Sequence, residues 1–200
     1  IMQSGLKRRE MISARLGDLL SNLYLASMVL KEYEDQGNPV EDLPLVEWAC
    51  QTLFNQYQQA MHEVLLNFPM RIAAMKMRLL VFPLGQQFNK PSDELERKIA
   101  DLIIHNTPTR QRLIEGVFDS ESEHHHIHAL NEAMIMADEV APLEKKLRHA
   151  VKSEVLPSLL GLELIEAGAK AGVLSEEEAK RMREYDQKIM NIIHVDEFPY

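Results

Sequence analysis

The chain is short of the residues on which several classes of protein depend. Its one cysteine, Cys50, excludes an internal disulfide and favours a reducing compartment. The eight glycines include no G-x-G pair, which argues against dinucleotide- and phosphate-binding loops, since these need glycine for close backbone approach. No apolar run reaches the roughly 18 residues that span a bilayer, and the charged N-terminus does not resemble a signal peptide. We therefore expect an intracellular protein.

Positive charge is also scarce, with 22 Lys and Arg against 31 Asp and Glu and a formal net charge of −9. An acidic chain is a poor match for a phosphate backbone, so we expect no nucleic-acid partner. Two hundred residues are enough for one domain or two small ones, with a sizeable core and no metal. Because the first residue is Ile1 and not Met, we expect this chain to be part of a longer protein.

Helical periodicity dominates the first third of the chain. Apolar residues spaced alternately by four and three predict a long helix that ends at Gly37-Asn38-Pro39. Its predicted seam is Ile12, Leu16, Leu19, Leu23, Ala26, Leu30 and Tyr33. A second seam, which follows Pro44, is Val46, Ala49, Leu53, Tyr57, Ala60 and Val64. The short polar loop between them predicts an antiparallel hairpin over residues 4–68, with Leu19, Leu23, Leu53 and Tyr57 buried.

The rest of the chain also reads as helices, and no segment alternates with the period of a strand. A helix over 70–82 is apolar nearly all round, so we expect it to be buried, Ile72, Leu79 and Leu80 included. Smaller helices are predicted over 93–193, with Pro142 bending or restarting one of them. Three starts are marked by Ser92, by Thr107 before Pro108, and by a capping box from Ser175 to Glu178. The predicted fold is one all-α domain over 1–200, an antiparallel helical bundle built on the hairpin.

A histidine cluster is the first candidate site. The histidines are His124, His125, His126 and His128. His124 and His128 would share one helix face and could bind zinc, with Glu121 or Glu132 as a third ligand. The H-E-x-x-H order is absent, and the cluster lies at a polar helix start. We therefore predict no physiological metal, although metal binding by the cluster stays open.

A gap in negative charge is the second candidate. No acidic residue lies between Glu63 and Asp93, whereas Arg71, Lys76, Arg78 and Lys90 all lie there. Arg71 and Arg78 are seven residues apart and would point the same way. One interpretation is that both pair with carboxylates on another helix. The other is that they form a basic edge facing a partner or an anionic membrane.

Catalytic patterns are missing from the sequence. Cys50 lies beside Trp48 and Ala49 in a predicted helix, which favours a core role over a nucleophile. There is no G-x-S-x-G elbow. The run from Glu176 to Glu178 occupies a first helical turn, where the helix dipole favours carboxylates. We predict no catalytic and no cofactor-binding residue in this chain.

Several stretches, in this order, resemble one family. They are Leu43-Pro44-Leu45-Val46-Glu47-Trp48-Ala49, Asn67-Phe68-Pro69, Val81-Phe82-Pro83-Leu84-Gly85, Lys90-Pro91-Ser92-Asp93 with Leu95, Arg112-Leu113 with Gly116, and Ile192 to Phe198. Together they resemble the C-terminal helical domain of the large, bacterial-type acyl-coenzyme A dehydrogenases of fatty-acid β-oxidation. The similarity extends over nearly the whole chain.

The resemblance implies that a flavin-dependent core precedes this chain in the full-length enzyme. In that family the core removes an α-proton with a glutamate and passes a hydride from Cβ to FAD. None of that core maps onto this chain, so FAD and the acyl-coenzyme A substrate are expected only in the full-length protein. The expected partners are the catalytic core, a second subunit or the inner face of the bacterial inner membrane, in a cytoplasmic setting. The alternative is a free-standing helical adaptor.

Overall fold

The computed structural model describes residues 9–118 and 126–193, and these ranges contain helices, turns and no strand. The helices are α1 Glu10–Asp35, α2 Leu43–Leu66, α3 Arg71–Val81, α4 Asp93–Ile104, α5 Pro108–Ile114, α6 His126–Lys152, α7 Gly161–Lys170 and α8 Glu176–Ile193. A single 3-10 turn, Val40–Asp42, leads into α2. The predicted all-α class is confirmed.

The helices pack into two compact units, Ile1–Asp101 and Leu102–Tyr200. The boundary between them falls inside α4. Each unit has its own buried residues. The single domain expected over 1–200 therefore stays a prediction.

The first unit is built on the α1–α2 hairpin, which was predicted correctly. Arg15, near the start of α1, donates from Nε to Glu63, near the end of α2, at 2.7 Å. A contact between the two far ends requires the helices to run antiparallel. Ile12, Leu19 and Ala26 are the buried residues of α1, and they recur every seven residues along its contact with α2.

The hairpin buries three of the seven predicted α1 seam residues, and the expectation for Leu23 was wrong. Leu19 is 6% exposed, whereas Leu23 is 45% exposed. The half-buried positions lie three residues after each buried one, at Arg15, Asn22 and Val29, and not four residues after it. The apolar stripe of α1 is thus wider than the strip that one partner helix can cover. On α2, Leu53 and Tyr57 are half-buried.

The second unit is an antiparallel pair, α6 and α8, with α7 packed beside it. Three ion pairs connect α6 to α8: Lys146 with Glu178, Glu139 with Arg181, and Glu132 with Lys188. The order of the pairs descends along α6 and ascends along α8, which fixes the antiparallel direction. The buried core below them is Val140, Leu147, Ala150, Leu156, Ile165, Leu174, Ala179 and Met182.

Pro142 lies inside α6, which continues unbroken to Lys152. Of the two expected alternatives, a bend or a restart of the helix at Pro142, the restart is therefore excluded. Pro142 lacks the N–H that would bond to the carbonyl of Asp138, but Pro142 and Asp138 are both exposed, so water can satisfy that carbonyl. Val140 and Leu147 are buried on either side of it, so the helix is held in the core through this stretch.

The helix starts follow the predicted capping residues. The Oγ of Ser92 accepts from the Leu95 N–H at 3.3 Å, and the Thr107 side chain accepts from the Arg110 N–H at 3.1 Å. In the capping box, Ser175 Oγ accepts from the Glu178 N–H at 3.1 Å, and a Glu178 carboxylate oxygen accepts from the Ser175 N–H at 2.9 Å. Each bond satisfies a backbone donor that has no partner within the helix.

Candidate docking surfaces

Helix α3 attaches to the first unit along one narrow side. It starts after Pro69 and ends before Pro83, as expected from two residues that interrupt helices. Ala73 and Ala74 are half-buried on the side that faces α2. The ring of Phe82 meets that of His62 of α2 edge-on, with centroids 6.3 Å apart. Small alanines let the two helices approach closely, but they bury little area.

None of the α3 residues is buried, so the prediction of a buried helix over 70–82 was wrong. Ile72 is 71% exposed, Leu79 is 72% exposed and Leu80 is 80% exposed. A helix that is apolar nearly all round needs neighbours on several sides, and within its own unit α3 packs mainly against α2. Across the described ranges, no helix is both long enough and apolar enough to cross a membrane.

The cations of α3 border its outward apolar strip on both sides. Ile72, Met75 and Leu79 follow helical spacing and project on one face. Arg71 and Arg78, seven residues apart, flank one edge of that strip, and Lys76 lies toward the other edge. We call this surface the α3 face. It consists of Arg71, Ile72, Met75, Lys76, Arg78 and Leu79.

Within the part of the chain that the structure describes, the arginines of the α3 face do not pair with carboxylates. Arg71, Lys76 and Arg78 are exposed, and none of them makes an ion pair or side-chain hydrogen bond within residues 9–118 and 126–193. The interpretation that Arg71 and Arg78 pair with acidic residues on another helix is therefore wrong for the described part of the chain. Both cations remain available at the edge of the apolar strip.

The segment after α3 is held in place by a glutamine that the sequence analysis did not single out. Gln58 of α2 is 4% exposed. Its Oε1 accepts from the backbone N–H groups of Gln87 at 2.7 Å and Phe88 at 3.0 Å, and its Nε2 donates to the Phe88 carbonyl at 3.1 Å. Phe88 also packs against Phe54, with ring centroids 5.4 Å apart. Asn55, Gln56 and Gln59 lie beside it, so no sequence pattern distinguishes Gln58 from its polar neighbours.

A second uncovered surface lies on α1. Leu16, Leu20, Leu23 and Leu30 are all exposed and lie at spacings of four, three and seven along one side of the helix. We call these four residues the leucine row. Ser13 and Ser27 share this side, and Ser27 Oγ donates to the Tyr24 carbonyl at 2.7 Å, so its hydroxyl is satisfied within the helix. No charged residue interrupts the row.

Only part of the histidine cluster lies within the described residues. His124 and His125 lie outside the described residues, as does Glu121, so the zinc hypothesis is not tested there. His128 Nε2 lies 3.8 Å from a carboxylate oxygen of Glu132, which also pairs with Lys188. Over 9–118 and 126–193, no group of three possible ligands comes together.

Cys50 lies half-buried in α2. Burial raises the pKa of its thiol, because it disfavours the charged thiolate. A protonated thiol is a poor nucleophile, which agrees with the structural role expected for Cys50.

Comparison with known families identifies the chain. Residues 1–198 match the family described as acyl-CoA dehydrogenase, C-terminal, bacterial type. The chain belongs to this family and is a C-terminal module of such an enzyme, so the resemblance inferred from its ordered motifs is confirmed. No solved structure gives a significant match.

Proposed function

We propose that this chain is the non-catalytic docking module of an FAD-dependent fatty acyl-CoA dehydrogenase, which catalyses the first oxidation step of fatty-acid β-oxidation. FAD and the residues that remove the α-proton belong to the catalytic core of the full-length enzyme. The module packs on that core or on a second subunit through the leucine row of α1. Family membership supports the assignment to such an enzyme.

The leucine row is the observation that carries the docking role. Leu16, Leu23 and Leu30 recur every seven residues, directly beside the buried seam of α1, and Leu20 extends the strip outward. Contiguous apolar area of this kind marks a surface that another protein covers. The row is uncharged along its length, as expected at the centre of a protein–protein interface.

The test compares one set of substitutions in two settings. In the chain by itself, Leu16→Ser, Leu23→Ser and Leu30→Ser together should lower the free energy of unfolding by no more than about 1.5 kcal/mol, because exposed side chains contribute within about 0.5 kcal/mol each. In the full-length enzyme the same triple variant should lower the melting temperature and expose this module to limited proteolysis, because the row is buried there.

The matched control is on the opposite side of the same helix. Met11→Ser, Leu25→Ser and Met28→Ser also replace three exposed apolar residues of α1. This control should leave the full-length enzyme as resistant to proteolysis as the wild type. If the two triple variants behave alike in the full-length enzyme, the leucine row is not the docking surface.

A further inference from the structure

The α3 face differs from the leucine row in its charge, and this difference points to another kind of partner. Both surfaces expose large apolar side chains. The leucine row is uncharged, whereas the α3 face carries Arg71 and Arg78 at one edge and Lys76 at the other. We do not expect one kind of partner to bind both surfaces.

The positive charge of the α3 face is local. The chain has a net charge of −9, yet the stretch between Glu63 and Asp93 contains four cations and no carboxylate. No intramolecular partner neutralises Arg71, Lys76 or Arg78 within the described residues. Charge complementarity therefore favours a partner with an extended anionic surface. The exposed Ile72 and Leu79 favour an apolar medium beside that surface.

An anionic bilayer provides both features in one layer. Interfacial helices place an apolar strip at the boundary between headgroups and acyl chains, with Lys and Arg along the strip reaching the phosphates. Helix α3 has 11 residues, about half of the roughly 20 that a membrane-spanning helix needs, so it can lie on a bilayer but not cross it. Leu84, just beyond α3, is also exposed and extends the apolar area.

We propose that the α3 face docks this module on an anionic membrane. Ile72, Met75 and Leu79 enter the boundary between headgroups and acyl chains. Arg71, Lys76 and Arg78 donate to lipid phosphates at the two edges. This contact is separate from the leucine row and does not depend on the docking role proposed for it.

The experiment measures binding of the full-length enzyme to vesicles by co-sedimentation. One set contains phosphatidylglycerol with phosphatidylethanolamine, and the other contains phosphatidylcholine alone. We expect binding to the anionic set at low salt, with weaker binding as salt rises. Each Lys or Arg near an anionic surface contributes about 1 kcal/mol, about fivefold, so Arg71→Gln, Lys76→Gln and Arg78→Gln together should weaken binding about a hundredfold.

Two control comparisons test whether vesicle binding depends on the α3 face itself or only on the total charge and hydrophobicity of the protein. Lys145→Gln, Lys152→Gln and Lys170→Gln remove the same charge from exposed lysines of the second unit, and this variant should bind like the wild type. Ile72→Ser with Leu79→Ser should weaken binding, whereas Val155→Ser with Leu160→Ser, also at exposed positions, should not. Because all these side chains are exposed, the melting temperature of each variant should stay near the wild-type value.

Several results would overturn the proposal. The first is that the wild-type protein does not bind anionic vesicles at low salt. The second is that it binds neutral and anionic vesicles equally. The third is that the α3 variants and the control variants lose the same amount of binding. If the α3 charge variant instead changes the oligomeric state in the absence of lipid, the α3 face is a protein interface. The stability test of the leucine row uses no lipid, so either proposal can fail alone.

Discussion

The amide side chain of Gln58 binds the backbone of Phe88 at both of its hydrogen-bonding groups, at 3.0 Å for the N–H and 3.1 Å for the carbonyl. This arrangement fixes an irregular segment, residues 82–92, against α2 without any regular secondary structure. Four residues after Phe88, Ser92 caps α4.

We predict that Gln58→Ala destabilises the first unit by about 1–3 kcal/mol, because it leaves backbone groups of Gln87 and Phe88 without their buried partner. Urea unfolding followed by circular dichroism measures the change. Gln56→Ala, two positions away and exposed, should shift the free energy of unfolding by less than about 0.5 kcal/mol. Equal effects of the two substitutions would contradict the anchoring role of Gln58.

Glycine-to-alanine substitutions at two helical positions should change the free energy of unfolding in opposite directions. A Cβ added at Gly168 would overlap the side chain of Leu147, which is 2% exposed and has little room to move. Gly168→Ala should therefore cost about 1–3 kcal/mol. A Cβ at Gly17 of α1 meets no atom within 4 Å, so Gly17→Ala should stabilise the chain by up to about 1 kcal/mol. Thermal unfolding of both variants tests the pair, and a stabilised Gly168→Ala protein would refute the close packing of α7 on α6.

The loss of folding stability at acidic pH should depend on the ionisation of Asp138. The Asn106 N–H, which donates to Asp138 at 2.9 Å, and then the hydrogen bond to His105 lower the pKa of this carboxyl. Because the pKa is lower in the folded state, the stabilisation is complete above the ordinary carboxyl pKa of about 4. It is lost as the pH falls through the lower folded-state pKa.

Unfolding of the Asp138→Asn variant between neutral and acidic pH measures this contribution. The variant should be less stable than the wild type near neutral pH, and the difference should shrink as the pH falls through that window. Glu163→Gln changes an exposed carboxylate of the same unit and should follow the wild-type profile. A constant difference for Asp138→Asn at all pH values would mean that ionisation of Asp138 is not the cause.

Cofactor content distinguishes the module from the whole enzyme. Purified by itself, this chain should be colourless, should bind no FAD and should not oxidise acyl-coenzyme A, because its sequence has no glycine-rich loop and no catalytic acid–base pair. Visible absorbance and an acyl-coenzyme A oxidation assay provide the measurement, with the full-length enzyme as the positive control. A yellow preparation with stoichiometric FAD would refute the expectation that FAD binds only in the full-length enzyme.

The sequence by itself determined the features that depend on local chemistry. Thr107 with Pro108, and Ser175 with Glu178, marked helix starts because capping involves residues only a few positions apart. The hairpin also followed from sequence, since two seams of matching length on either side of a short loop have few other ways to pack. The ordered motifs identified the family.

Tertiary structure decided which apolar residues are covered. Leu19 and Leu23 belong to the same sequence pattern, but the line of contact with α2 buries the first and leaves the second exposed. Likewise, the composition of α3 predicts burial, and only the three-dimensional packing leaves its apolar residues exposed. Periodicity tells which side of a helix is apolar. How much of that side a neighbour covers depends on contacts between residues distant in sequence, and those contacts set the positions of both proposed docking surfaces.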